Sequence, residues 1–256
     1  MSVLTHLQST INAVKIAEWE RNSIDTSINT LSRKLGNYFN NLNSKFVFGS
    51  YDRRTILRRS KDPNSDVDYM VVFNDGANYQ PQTLMTRLLT FANANYSRNE
   101  IKQSSPTIVI ELSSIKFELV PAYESWGNYY IPAPASSYTN WISSNPTGMK
   151  TELNNKHNQN NYLIRDLIQL LKYWNVKNGK VYSSYEIERY VLDKWFYSCT
   201  NLKDYFYSAV EGLSTYGKSI YNTSKITRLK GIIAQAKIYE QKGMNYYAEI
   251  EIQKEI

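Results

Sequence analysis

The sequence holds one cysteine, Cys199, and two histidines, His6 and His157, in 256 residues. One thiol excludes an intramolecular disulfide and any cysteine-cluster metal site. Two histidines exclude a zinc site of the usual His-rich kind. No apolar run approaches the ~18 residues of a membrane span. The opening segment MSVLTHLQSTINAVK also lacks the apolar core of a signal peptide, so a cytoplasmic chain with no membrane partner is expected. Hydrophobic residues make up 42% and charged residues 21%, which excludes disordered and fibrous classes.

Thirty Lys and Arg against 23 Asp and Glu leave a net charge of +7. Such an excess suits an anionic partner, whether nucleotide, nucleic acid or phosphate, or does no more than aid solubility. The length fits one large domain or two lobes sharing a core.

Leu4, Leu7, Ile11 and Val14 keep helical spacing, as do Ile24, Ile28, Leu31, Leu35, Phe39 and Leu42. Residues 1–42 therefore read as two helices, the second capped by Ser23 or Asp25. Short β-rich runs follow: 46–48, then 66–73 after a polar loop. Residues 84–93 look helical. A hairpin joins 107–112 to 115–120 through Ser113-Ser114 and stops at Pro121. Residues 123–150, with two glycines and three prolines, read as loop. Beyond 151 the pattern is helical, clearest over 163–174 and expected again near 184–198 and 225–254. The order is helices, a small mixed sheet, then a helical lobe. The expected divisions are 1–42, packing with the C-terminal lobe, 43–125 as the core, and 126–256 as the helical lobe.

The informative stretch is FGSYDRRTILRRSKDPNSDVDYMVVF. Strand side chains alternate, so Asp66 and Asp68 share one face and Val67, Tyr69 and Val71 take the other. Two carboxylates at i, i+2 repel unless a cation sits between them. Mg²⁺ suits that role because it binds through one or two carboxylates and completes its shell with phosphates. By the same alternation Lys116 and Glu118 face away from Ile115, Phe117 and Leu119. Glu118 joins the aspartates if its strand lies beside 66–73. Gly49-Ser50 ends a strand, where glycine lets backbone approach a phosphate and serine adds a donor. On helix 163–174, Arg165, Gln169 and Lys172 form one polar face, which suits either a phosphate-filled cleft or solvent.

FGS…SDVDYMVVF resembles the nucleotidyltransferase signature of the DNA polymerase β superfamily. KFELVPAYE is similar to that superfamily's third-acid strand. YIPAPASSYTNWISSNPTGMKTELNNKHNQNNYLIRDLIQLLKYWN, followed by YSSYEIE, resembles the helical lobe of bacterial CD-NTases, the SMODS-type relatives of cyclic GMP-AMP synthase and oligoadenylate synthase. The resemblance implies an α+β, two-lobed fold with the active site in the cleft: a small mixed sheet with flanking helices plus a helical lobe. It implies an enzyme that uses Mg²⁺, or Mn²⁺, to join nucleoside triphosphates, ATP among them, into cyclic or linear second messengers for antiphage signalling. Asp66, Asp68 and Glu118 then hold the metals, and Glu118 helps deprotonate the acceptor hydroxyl. Gly49, Ser50, Arg54, Lys172 and Ser184 contact phosphates, and Tyr185 stacks on a base.

Two positions depart from the family pattern. The third acid is usually Asp, and Glu118 carries one more methylene; a shift of over 1 Å can cost roughly 10²-fold in rate. The loop usually reads Gly-Ser-x-x-Arg-Gly-Thr, and here Arg54 stands in the second glycine's place. Arg53, Arg54, Arg58, Arg59 and Lys61 crowd this loop, which suits a triphosphate, a nucleic-acid activator or another anionic partner, or a solvated loop balanced by Asp52 and Asp62. Two alternatives stay open from sequence: transfer to an RNA or protein acceptor, and an inactive nucleotide-binding relative.

Overall fold

A computed structural model of the protein describes residues 2–97, 100–104, 106–113, 115–134 and 140–256. The elements run α1 (Val3–Val14), α2 (Glu18–Tyr38), β1 (Leu42–Phe48), α3 (Gly49–Asp52), β2 (Val67–Phe73), α4 (Pro81–Asn95), β3 (Ile101–Ser104), β4 (Thr107–Glu111), β5 (Lys116–Ser125), β6 (Asn128–Pro132) and β7 (Trp141–Ser144). Helices complete the chain: α5 (Pro146–Gln159), α6 (Ile164–Lys177), α7 (Ser184–Asp193), α8 (Leu202–Glu211), α9 (Ile220–Gln241) and α10 (Asn245–Gln253). Among the described residues, no helix is long and apolar enough to cross a membrane.

The chain divides into two compact units. One comprises Met1–Lys15, Ser60–Asp62 and Glu152–Ile256; the other comprises Ile16–Arg59 and Pro63–Thr151. Within the first, α1 packs on α6, α8 and α10. Its apolar stripe, Leu7, Ile11 and Val14, is buried. The second unit contains α2, which packs on β1 and α4.

In the second unit the sheet order is β1-β2-β5-β4-β3, with β6 on β5 and β7 on β6. β1 and β2 are antiparallel, whereas β2 and β5 are parallel. Alternation settles both faces. Val67, Tyr69, Val71 and Phe73 turn into a core shared with Leu31 and Leu35 of α2 and Leu84, Leu88 and Phe91 of α4. On the other face Met70, Val72 and Ala122 form a smaller cluster with Phe46, Phe48, Tyr129 and Ile131. The carboxylates occupy that second face at the start of β2.

Several boundaries differ from the sequence expectation. α2 begins at Glu18, and Glu20 caps it by accepting from the Ala17 N–H at 2.9 Å, so Ser23 and Asp25 lie inside the helix. Leu42 opens β1 instead of closing a helix. Pro121 does not stop β5. On that edge β4 pairing ends at Leu119 and β6 pairing starts at Tyr123, so proline's missing N–H falls in the gap. Residues 123–150 contain β6, β7 and the start of α5. The helix expected over 225–254 is two, α9 and α10, broken at Gly243 with φ +74°. β3 and α8 were not anticipated. The hairpin's Ser114 lies outside the described residues.

Candidate functional site

Strand register builds an acidic row. Phe48 pairs with Asp68, and Asp68 pairs with Glu118. Registered partners point to the same face, so Glu118 comes up beside Asp68. Asp66 precedes β2 by one residue and shares the face. The structure thus brings together the three acids singled out in the sequence.

Lys116 completes the cluster. It lies two residues before Glu118 on the same face of β5. Its Nζ sits 3.0 Å from Asp66 Oδ2 and 3.1 Å from Glu118 Oε1. One ammonium therefore bridges two carboxylates. Burial, followed by the charge of Glu118, pushes the Asp66 carboxyl above the usual aspartate range, and Lys116 only partly offsets this. Burial also opposes the charge on Lys116, but Asp66 and Glu118 outweigh it and hold its ammonium above the ordinary lysine value. The sequence placed Lys116 on this face; the bridge itself needed the pairing of β2 with β5.

Gly49 explains the other edge. It opens the single turn α3 with φ +71°. A Cβ there would lie 1.8 Å from Asp68 Oδ2. Only glycine lets backbone pass this close to the carboxylate. The loop behind it is pinned by the Ser50 carbonyl, which accepts from Thr55 N at 2.9 Å and Ile56 N at 3.2 Å.

Two arginines of the basic loop are paired with carboxylates. Arg58 pairs with Glu20 at 2.9 Å, and Arg59 pairs with Glu111 at 2.8 Å and donates to the Leu112 carbonyl at 3.2 Å. Arg53 is buried. Arg54 is exposed with φ +59°, a left-handed conformation that explains why glycine suits this position. Asp52 pairs with Lys150 at 2.6 Å instead of balancing the arginines.

In the first unit, α6 does not present the open polar stripe expected of it. Gln169 and Lys172 are 4% and 5% exposed. Lys172 Nζ meets Glu188 Oε1 of α7 at 2.5 Å, both side chains buried. Arg165 reaches Asn154 at 2.6 Å. Periodicity placed Lys172 opposite the apolar stripe but carried no sign of a buried partner one helix later. Ser184 is the first residue of α7; Ser183 caps it, accepting from Glu186 N at 3.1 Å. Tyr185 is 61% exposed, free to present its ring.

Among the described residues, no three His, Cys, Asp or Glu side chains form a ready-made metal cage. Mg²⁺ does not require one, since it takes one or two carboxylates and fills its shell with water and phosphate oxygens. Asp66, Asp68 and Glu118 are hard oxygen donors on one face, and Lys116 already demonstrates that the Asp66–Glu118 pair accepts a cation. The residues fit a small divalent ion.

Solved structures share this fold. Over 98% of this chain and 97% of that one, CdnC of E. coli MS115-1, determined with ATP, superposes with a TM-score of 0.73 at 13% identity. CdnG of Bradyrhizobium diazoefficiens, a CD-NTase determined with GTP, covers 99% of this chain and 97% of that one, with a TM-score of 0.71 at 9% identity. A probable cyclic nucleotide synthase of Bacillus cereus is 28% identical over 186 residues, 57% of this chain and 54% of the relative. The chain thus spans about half the length of the curated relative it matches. Residues 1–158, more than half the chain, match the model of the Second Messenger Oligonucleotide or Dinucleotide Synthetase domain, SMODS. With Asp66, Asp68 and Glu118 all inside the matched segment, the chain belongs to the SMODS family.

Proposed function

We propose that the protein is a metal-dependent nucleotidyltransferase that joins nucleoside triphosphates into a cyclic or linear oligonucleotide second messenger, releasing pyrophosphate, in antiphage signalling. The observation that carries this reading is the register pair Asp68–Glu118, with Asp66 on the same face, in a chain of the SMODS family.

Asp66, Asp68 and Glu118 are the residues that would hold Mg²⁺. When bound, such an ion neutralises phosphate oxygens and the leaving pyrophosphate. Gly49 contributes by absence: without a side chain, its backbone lies close against the Asp68 carboxylate. Ser50 adds a hydroxyl at the same turn. Glu118, the third acid, is the group placed to take up the proton of an acceptor hydroxyl. Lys116 holds Asp66 and Glu118 together when no substrate is bound, and its ammonium is the natural counter-charge for an incoming phosphate. Arg54 serves as a further phosphate contact in the second unit; in the first unit the exposed Tyr185 is read as a stacking surface for a base and Ser184 as a phosphate contact, whereas Lys172 is closed off in its buried pair with Glu188.

The test is incubation of the purified protein with the four nucleoside triphosphates and Mg²⁺, without any acceptor, followed by mass spectrometry. Phosphodiester-linked nucleotides and pyrophosphate are expected. Product only when RNA or protein acceptor is added would contradict the reading.

A further inference from the structure

Each residue of the turn Gly49–Asp52 is anchored to a different neighbour. Gly49 lies against Asp68 of β2. Tyr51 reaches α2: its hydroxyl donates to Asp25 Oδ1 at 2.7 Å, and the Arg21 guanidinium lies 5.2 Å from the centre of its ring. Asp52 reaches α5, where it accepts from Lys150 Nζ at 2.6 Å. Ser50 uses its carbonyl to accept from Thr55 and Ile56. All of these residues belong to the second unit. The Ser50 hydroxyl is the one polar side-chain group of the turn left unengaged among the described residues.

The two helical anchors differ from core contacts. Tyr51 is buried, but Asp25 is exposed and the Lys150 side chain is 43% exposed. Such surface partners contribute little to global stability. What they share is their target, two consecutive side chains of one short turn. Burial, then the hydrogen bond to Asp25, holds the Tyr51 phenol above its ordinary value, so it stays protonated and keeps donating. A group that must meet a ligand oxygen needs supporting residues that fix its place beforehand, because a small misplacement is costly.

We propose that Asp25 and Lys150 are positioning residues: through Tyr51 and Asp52 they preset the turn so that the Ser50 hydroxyl already stands where a phosphate oxygen arrives. That Ser50 meets phosphate rests on the nucleotidyltransferase reading; the preset turn rests on the anchoring contacts alone.

The experiment uses the full chain and two readouts. Amide hydrogen exchange follows Thr55 and Ile56, whose N–H groups bond the Ser50 carbonyl. Steady-state turnover with Mg²⁺ gives kcat and KM for the triphosphates. Asp25→Leu deletes the acceptor and Lys150→Met deletes the cation, whereas Asp25→Asn and Lys150→Arg keep them. In Asp25→Leu and Lys150→Met the two amides should exchange at least about threefold faster, with the melting temperature and the slowest amides of β2 unchanged. KM should rise about three- to tenfold at nearly constant kcat, since a contact made alike in the ground and transition states is uniform binding. Asp25→Asn and Lys150→Arg should restore both readouts. Unchanged exchange at Thr55 and Ile56 overturns the preset turn. Faster exchange with an unmoved KM, or conservative variants that fail to restore, makes the anchors merely structural and overturns the positioning role. A parent chain without turnover contradicts the nucleotidyltransferase reading instead, and the exchange comparison still decides whether the anchors preset the turn.

Discussion

Gly49 and Asp68 occupy space that only one of them can fill with a side chain. A Cβ on Gly49 would come within 1.8 Å of Asp68 Oδ2 and 2.9 Å of its Cβ, and the glycine's φ is +71°. Gly49→Ala should therefore both strain the backbone and displace the carboxylate. A loss of about 1–3 kcal/mol in urea denaturation is expected, together with loss of turnover. Asp68→Ala removes the two atoms that approach most closely. In that background Gly49→Ala should cost less, and additive losses would show that the two residues do not compete for space.

Lys116 predicts behaviour in the absence of metal. Its ammonium bridges Asp66 and Glu118. Lys116→Met leaves these carboxylates facing each other without a counter-charge, so metal-free stability should fall by about 1–3 kcal/mol. Mn²⁺ or Mg²⁺ should then raise the melting temperature of the variant more than that of the parent, because no resident cation has to be displaced. An equal rise in both proteins would mean that the lysine and the ion do not share the pair.

The buried pair Lys172–Glu188 joins α6 to α7. Removing one partner leaves an uncompensated charge, and Lys172→Met should cost about 3–5 kcal/mol. Lys172→Met combined with Glu188→Leu should recover most of that loss. Denaturant titration of the three variants distinguishes a structural lock from a residue whose role is confined to phosphate binding, for which stability would not move.

His157 gives a pH signature within the first unit. Burial, then the positive charge of Arg165, lowers its pKa below the usual histidine value. The Arg165 N–H donates to its Nδ1 at 3.4 Å, an acceptor that protonation removes at the start of α6. The folded pKa lies below the unfolded one, so the unfolded chain binds the proton first as pH falls. Stability contributed by neutral His157 should be complete above about pH 6.5 and decline below it. His157→Gln should flatten that part of the melting-temperature profile; an unaltered slope would assign it to other groups.

The acids were legible in the sequence because strand alternation has an unambiguous period. Asp66, Asp68 and Glu118 each sit among β-rich apolar neighbours that reveal which face is buried. The parallel pairing of β2 with β5, which places Glu118 opposite Asp68, is a long-range fact that only the fold supplies. Lys116 was visible on the correct face, but its bridging role depends on that pairing. Lys172 was misjudged as part of an open stripe because helical periodicity marks a polar face without saying what covers it, and Glu188 lies on a different helix. β6 and β7 read as loop because Gly127, Pro132 and Pro134 dominate the local signal, while the pairing of β6 with β5 and of β7 with β6 is decided across the sheet.

The most direct test of the central claim compares the parent protein with the Asp66→Ala, Asp68→Ala double variant. Both are incubated with nucleoside triphosphates and Mg²⁺ alone, and linked nucleotides and pyrophosphate are quantified. The parent should form product. The variant should form none while still melting cooperatively without metal, Lys116 keeping Glu118 as its partner. Undiminished product from the folded variant would contradict the assignment of these acids as the reactive centre.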